Sequence, residues 1–201
     1  MQPKTILAKA EAWKRKAHRL SLDLRLRSVS DARKFVREQA VVLWNAKAEL
    51  PNLADAIIGR VANSAERVHG RPAETCYLWR GQILQDSEFL ECKFFRNLTT
   101  VLHQDLWPYA SVIATTNREQ TSKDVQLSKD ARRILHYLDL EGATRSDALR
   151  KALKYTAPAE VRTFHKAKRE LQSALLIVGK EDKDSKTQTP AEVLGLWSQS
   201  L

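Results

Sequence analysis

The segment from Ser128 to Trp197 restricts the fold more than any other part of the chain. Its apolar residues follow three successive helical periods and then two short runs rich in β-formers. Ser128 precedes a helix with Ala131, Ile134, Leu135 and Leu138 on one face, and Gly142 stops it. "TRSD", residues 144–147, reads as a capping-box-like start: the Thr144 hydroxyl can accept a backbone N–H, and Asp147 suits the positive first turn. Ala148, Leu149, Ala152 and Leu153 are the expected buried side of that second helix. "APAE" breaks the chain, and Pro158 opens a third helix. "SALLIVGK" is a strand by composition, "EDKDSKTQT" a polar tip, and "AEVLGLW" a second strand or a short helix. Helix, helix, helix, strand, polar loop, strand is the order of a winged helix-turn-helix, in which the third helix faces the major groove and the loop lies on the backbone.

The third helix, "VRTFHKAKREL" at 161–171, has two opposed faces. At about 100° per residue, Val161, Phe164, Ala167 and Leu171 fall on one side, and Arg162, His165, Lys166 and Arg169 on the other. A solvated basic face would look the same in isolation. In a winged helix the core claims the apolar side, so the basic side is the one offered to DNA. The expected DNA-binding set is therefore Arg162, His165, Lys166 and Arg169, with Arg145, Arg150, Lys151 and Lys154 from the second helix and its flanks, and Lys180 from the wing.

Charge placement supports a polyanionic partner. The chain of 201 residues carries a net +10. Residues 1–27 hold eight Lys or Arg against two acids, and residues 128–180 hold twelve against six. Residues 28–127 hold twelve of each sign, and the tail 181–201 is acidic by two. Charge needed only for solubility has no reason to gather at two ends around a neutral middle. No run reaches the roughly 18 apolar residues of a membrane span, and the N-terminus has no signal-peptide pattern. Cys76 and Cys92 stand at no zinc-ligand spacing and read as reduced, partly buried thiols. The five histidines share no metal-binding spacing, and His136 reads as partly buried. No Gly-rich phosphate loop or G-x-S-x-G is present. Double-stranded DNA is thus the expected partner, with no membrane and no cofactor. A protein partner or a homodimer stays open.

The rest of the chain is less sharply marked. Ile6, Ala10, Trp13, Ala17, Leu20 and Leu24 alternate spacings of four and three, which predicts a basic helix over 1–27 packed on the rest of the protein. Ser30 is the expected cap of a helix over "DARKFVREQ", followed by a strand at "AVVLW". "ELPNLADAIIGR" predicts a Pro-started helix ended by Gly59, and "CYLWRGQIL" and "FLECKFFRNLTTVL" predict strands. Glu88 and Glu91 of "EFLEC" are expected in solvent, and Trp44, Trp79 and Trp107 in the core. "TTNREQTSKD", residues 115–124, reads as linker. The fold class is α+β, mostly helical. Its parts are a basic N-terminal helix (1–27), a middle part of short helices with a small sheet (28–126) and a C-terminal winged helix-turn-helix (127–201).

"ELPNLADAIIGR", "YLWRGQIL", "KFFRNLTTVLHQDLWPY", "LSKDARRILHYLDLEGATRSDALRKAL" and "FHKAKRELQ", in that order over about 30–180, resemble the short bacterial proteins related to the AlkZ crosslink-repair DNA glycosylases. The resemblance implies tandem winged helix-turn-helix units with small β wings that bind DNA in a bacterial cell, with 28–126 as a winged-helix-like unit; the reduced thiols read as cytoplasmic. It does not carry the chemistry. Those glycosylases position a water with Gln-x-Gln or Gln-x-Asp, and no glutamine here has either partner; after Gln39, in about the right region, the residue two further on is Val41. The expectation is a non-catalytic DNA-binding protein, a transcriptional regulator or DNA-repair accessory. A divergent DNA glycosylase and a winged-helix protein-interaction module are the alternatives.

Overall fold

The computed structural model describes residues 3–96, 98–121, 127–181 and 192–199. It is an α+β structure, mostly helical, with two three-stranded sheets among the described residues. The chain divides into two compact units, Met1–Leu90 with Thr99–Asp105, and Glu91–Leu98 with Leu106–Leu201.

The chain starts with α1 (Pro3–Ala17). This helix is shorter than the sequence predicts. Arg19 takes φ 59°, and the N–H groups of Arg19 and Leu20 return to the carbonyls of Lys16 and Arg15, a Schellman closure. The expected packing of its stripe also fails: Ile6 and Trp13 are 51% and 69% exposed. Two large and two small apolar side chains offer little area with which to hold so basic a helix.

α2 (Val29–Gln39) is capped by Ser28, not Ser30. The Ser28 hydroxyl accepts the Asp31 N–H at 3.1 Å, and the Asp31 carboxylate accepts the N–H groups of Arg27 (2.9 Å) and Ser28 (3.1 Å). A cap at Ser30 would put Arg33 three residues on, where no acceptor exists to complete the box. The backbone N–H of Arg27, first among these donors, holds the Asp31 carboxyl below its usual range. β1 (Val41–Leu43), α3 (Leu53–Ile58) and α4 (Ser64–His69) follow. Gly59 ends α3 at φ 74°, and a side chain there would meet the Ser21 carbonyl oxygen at 2.6 Å.

α5 (Arg71–Leu84) replaces the strand expected at "CYLWRGQIL". Pro72, Cys76 and Ile83 are buried and Trp79 half-buried, a period of four, three and four that only a helix provides. The aromatic and β-branched content pointed the other way, and Pro72 at the helix start outweighs it. "FLECKFFRNLTTVL", expected as a strand, forms two, β2 (Phe89–Phe95) and β3 (Leu98–His103), with Arg96 at φ 48° after the first. The sheet order is β1-β3-β2, with Val42 opposite Val101 in an antiparallel pair. Its core gathers Phe35, Val36, Val42, Leu53, Ile83 and Val101, with Trp44 buried against them. Glu88 is partly exposed, as a surface acid, and accepts the Arg37 Nε–H at 2.5 Å.

The stretch read as linker is mostly helix. α6 (Trp107–Thr121) runs through it as far as Thr121, and residues 122–124 of the stretch lie outside the described residues. Its inward residues are Ala110 and Ala114, too small to register as an apolar period, with Asn117 donating to the Ala174 carbonyl at 2.8 Å. Trp107 is half-buried.

α7 (Lys129–Glu141) is capped by Ser128 and ended by Gly142, and it buries Ala131, Ile134 and Leu138. His136 is exposed rather than partly buried, because it stands off that face. β4 (Thr144–Arg145) takes the place of the expected capping box. These two residues pair with Leu194 and Val193, and the Thr144 hydroxyl donates back to the Gly142 carbonyl. Pairing with a distant strand has overridden a local cap. α8 (Ser146–Ala152) buries Leu149, and Leu153 just past it is buried too; Ala148 and Ala152, expected inside, are exposed. α9 (Pro158–Ser173), β5 (Ile177–Glu181) and β6 (Glu192–Leu196) complete the unit, with sheet order β4-β6-β5. The polar tip expected between the last two strands lies outside the described residues. A Cβ at Gly179 would meet the Glu192 carboxylate at 2.1 Å, so a larger residue there would have to displace that side chain from Lys168 and Gln172. Phe164, Leu171, Ile177, Leu194 and Leu196 build the core.

One order occurs twice along the chain, from α2 to β3 and from α7 to β6: helix, short strand, helices, then two strands. In each sheet the first strand pairs with the last.

Candidate nucleic-acid interface

The site grows from the start of α9. Pro158 stands in its first turn, where the missing N–H costs nothing. The Glu160 carboxylate accepts the backbone N–H groups of Ala157 (2.9 Å) and Thr156 (2.8 Å). These bonds, Ala157 first, hold its carboxyl below the usual range. A fixed negative charge therefore occupies the N-terminal end of α9, so an anion is better met by the helix face than by its tip.

That face is set by the core. Phe164, Ala167 and Leu171 are at most 2% exposed, and Phe164 lies 5.5 Å from the Tyr155 ring. Their burial fixes the rotation of the helix and turns Arg162, His165, Lys166 and Arg169 to solvent. Arg162, Lys166 and Arg169 pair with no acid among the described residues. Lys168 does not join them: it is half-buried, 2.6 Å from the Glu192 carboxylate. His165 packs edge-on against Phe164 at 5.7 Å. Burial, and then Lys168, push its imidazole below the ordinary value, so it is neutral at pH 7.

The other expected residues fall into two groups. Lys151 and Lys154 are exposed at the end of α8. Lys154 takes φ 60°, with its N–H on the Lys151 carbonyl and the next N–H on the Arg150 carbonyl, so a lysine occupies a position that favours glycine. It shares an open cleft of about 460 Å³ with Asp130, Arg133, Tyr155, Glu160 and Thr163, which brings it to the first turns of α9. Arg145 and Arg150 are engaged within the unit. Arg145 Nε reaches Asp147 at 3.2 Å, and Arg150 Nη1 donates to the Tyr155 carbonyl at 2.7 Å. Lys180 is exposed on β5.

Two groups escaped the sequence reading. Arg133 lies over the Tyr155 ring at 5.3 Å, and the Tyr155 hydroxyl donates to Asp130 at 2.5 Å. Their partners are 22 and 25 positions away in the chain, so no local pattern announces them. Thr163 sits exposed beside Arg162, its hydroxyl donating to the Ala159 carbonyl.

The described residues hold no cluster of His, Cys, Asp and Glu that could bind a metal, and no described helix is long and apolar enough to cross a membrane. No curated relative and no solved structure matches the chain. A family model does, described as AlkZ related, over residues 26–194. The match takes in α2 through β6 apart from the final two residues of that strand, α9 included, and the chain belongs to the AlkZ-related family.

Proposed function

We propose that the second unit is a winged helix-turn-helix that binds double-stranded DNA, with α9 as the helix facing the major groove. The carrying observation is the pairing of two facts about α9: its inward face is closed by Phe164, Ala167 and Leu171, and its outward face offers Arg162, Lys166 and Arg169 without acidic partners among the described residues. The order α7-β4-α8-α9-β5-β6, with β4 beside β6, fits such a module. The stretch from α2 to β3 repeats the order, which supports a tandem arrangement. Family membership adds a loose link to DNA repair.

The reading is non-catalytic: a regulator or a repair accessory. Gln39 closes α2 and is followed by Ala40 and by Val41 in β1. Val41 puts hydrocarbon where the related glycosylases carry an amide or carboxylate, and hydrocarbon cannot polarise water. The test is a duplex titration at several salt concentrations. Five or six phosphate contacts give a log–log slope near about −5; an affinity flat in salt overturns the proposal. The same preparation, incubated with alkylated duplex, should release no N7-methylguanine above background. Release that Gln39→Ala abolishes would move the assignment to a divergent glycosylase.

A further inference from the structure

We propose that the outward face of α6 is a two-fold dimerisation seam whose occupant is a second copy of this chain. The inference is independent of the DNA-binding reading. α6 is fastened in its unit by one side: Ala110 and Ala114 are buried, Ser111 accepts the Trp197 indole N–H at 3.1 Å, and Asn117 reaches Ala174. A different side carries Tyr109 and Val112, 69% and 66% exposed, with Ile113 at 40% and Thr116 also exposed. These four stand at steps of three, one and three, one stripe of a helix.

Two features select a second copy as the occupant. The first is charge. The chain carries a net +10, with its excess at 1–27 and 128–180, so faces of two copies built from those segments repel. Residues 106–117 contain no charged side chain, so two copies that meet along this part of α6 avoid that repulsion. The second is the symmetry of the spacing. Three, one, three reads the same in both directions, so an antiparallel two-fold pairing sets Val112 beside Ile113 of the second copy and Tyr109 beside its Thr116. Branched aliphatics meet at the centre, and a large ring meets a small residue at each end. A contact with this symmetry closes on itself and stops at two.

The test is sedimentation of the nuclease-treated full chain at about 0.15 M and about 1 M salt, where screening shortens from about 8 Å to about 3 Å. An apolar seam between like-charged copies persists or tightens as salt rises, whereas association bridged by residual nucleic acid dissolves. Dimer at both salts is expected. Val112→Glu should weaken it at least about tenfold, as for loss of a central contact. Thr116→Arg, which adds charge at the end of the stripe, gives an independent reading should Val112→Glu melt abnormally. Leu140→Glu, on an exposed site of α7, should leave the dimer intact. A parent that is monomeric, a dimer lost at high salt, a normally melting seam variant that dimerises like the parent, or a dimer lost in Leu140→Glu each overturns the proposal.

Discussion

Glu170 on α9 grips Ser128, the N-cap of α7, twice: one carboxylate oxygen accepts the Ser128 N–H at 2.8 Å and the other accepts its hydroxyl at 2.7 Å. The same hydroxyl oxygen accepts the Ala131 N–H at 3.2 Å, so one carboxylate orders the start of one helix from the side of another. Glu170→Ala should cost about 1–3 kcal/mol, and Ser128→Ala about 1–2 kcal/mol. The double variant should lose less than the sum, because the two residues share one network. Thermal melts of the three variants measure this; strict additivity would mean the bonds do not form in solution.

Arg162, Lys166 and Arg169 should separate binding from stability. Each change to Ala is expected to alter stability by no more than about 0.5 kcal/mol. Loss of a phosphate contact should lower affinity for all sequences and reduce the salt slope by about one. Loss of a base contact should cost about 1–3 kcal/mol and relax preference at one position. Arg162, nearest the helix N-terminus, is assigned to readout and Arg169 to phosphate. Phe164→Ala, by contrast, opens the core and should cost about 3–5 kcal/mol. A triple Arg162, Lys166, Arg169→Ala protein that melts normally and binds duplex as tightly as the parent would reduce this face to a solvated one.

Lys154 should give effects of opposite sign. Its φ of 60° strains any residue with a Cβ. Lys154→Gly relieves the strain and should raise stability by up to about 1 kcal/mol, while removing a cation beside α9 and weakening duplex binding. Urea unfolding and a binding titration on one preparation check both. A destabilised Lys154→Gly would show that the lysine side chain makes contacts worth more than the strain.

His165 predicts a pH effect. Its folded pKa lies below the unfolded value of about 6.5. The unfolded chain therefore takes the proton first, and this group's contribution to stability is present above about pH 6.5 and lost as pH falls toward the folded value. Bound phosphate favours the imidazolium, so duplex affinity should rise as pH drops from about 7.5 to about 5.5. His165→Gln should flatten that rise; an unchanged profile would take His165 out of the interface.

Cys76 should be inert. Burial pushes its thiol up to about 12, and it lies against the Trp44 carbonyl at 3.5 Å. A disulfide reagent at about pH 8 should leave it unmodified until denaturant is added. Since the unfolded thiol ionises near about 8.5 and the folded one does not, this group lowers stability as pH rises past that value. Rapid labelling of the native protein at Cys76 would contradict its burial.

The second unit was largely legible in the sequence. Ser128 and Gly142 bound α7, Pro158 opens α9, and Phe164, Ala167 and Leu171 announce a buried face whose reverse is the candidate site. What stayed hidden was set at a distance or carried by small residues. β4 exists because Thr144 and Arg145 find β6, and only tertiary pairing reveals that. α6 turns alanines inward and shows its larger residues outward, the reverse of an ordinary hydrophobic pattern. α5 hid because aromatic and β-branched residues write a strand-like composition over a helical period. Of the candidate site, the basic row was readable; that Arg145 and Arg150 are engaged within the unit, and that Glu160 holds the tip of α9, depended on coordinates.

The pairing of β4 with β6 also imposes a timetable. Thr144 meets Leu194, fifty positions later, so the first strand of this sheet is made long before its neighbour. Closing so long a loop is entropically costly and slow beside helix formation. On a ribosome, α7, α8 and α9 can therefore gather around Phe164 and Leu171 while β4 waits, with no strand beside it, until residues 192–196 have been synthesised. During that interval the seats later filled by Leu194, Leu196 and Trp197 stand open, and the apolar side chains around them stay exposed to water until β6 arrives.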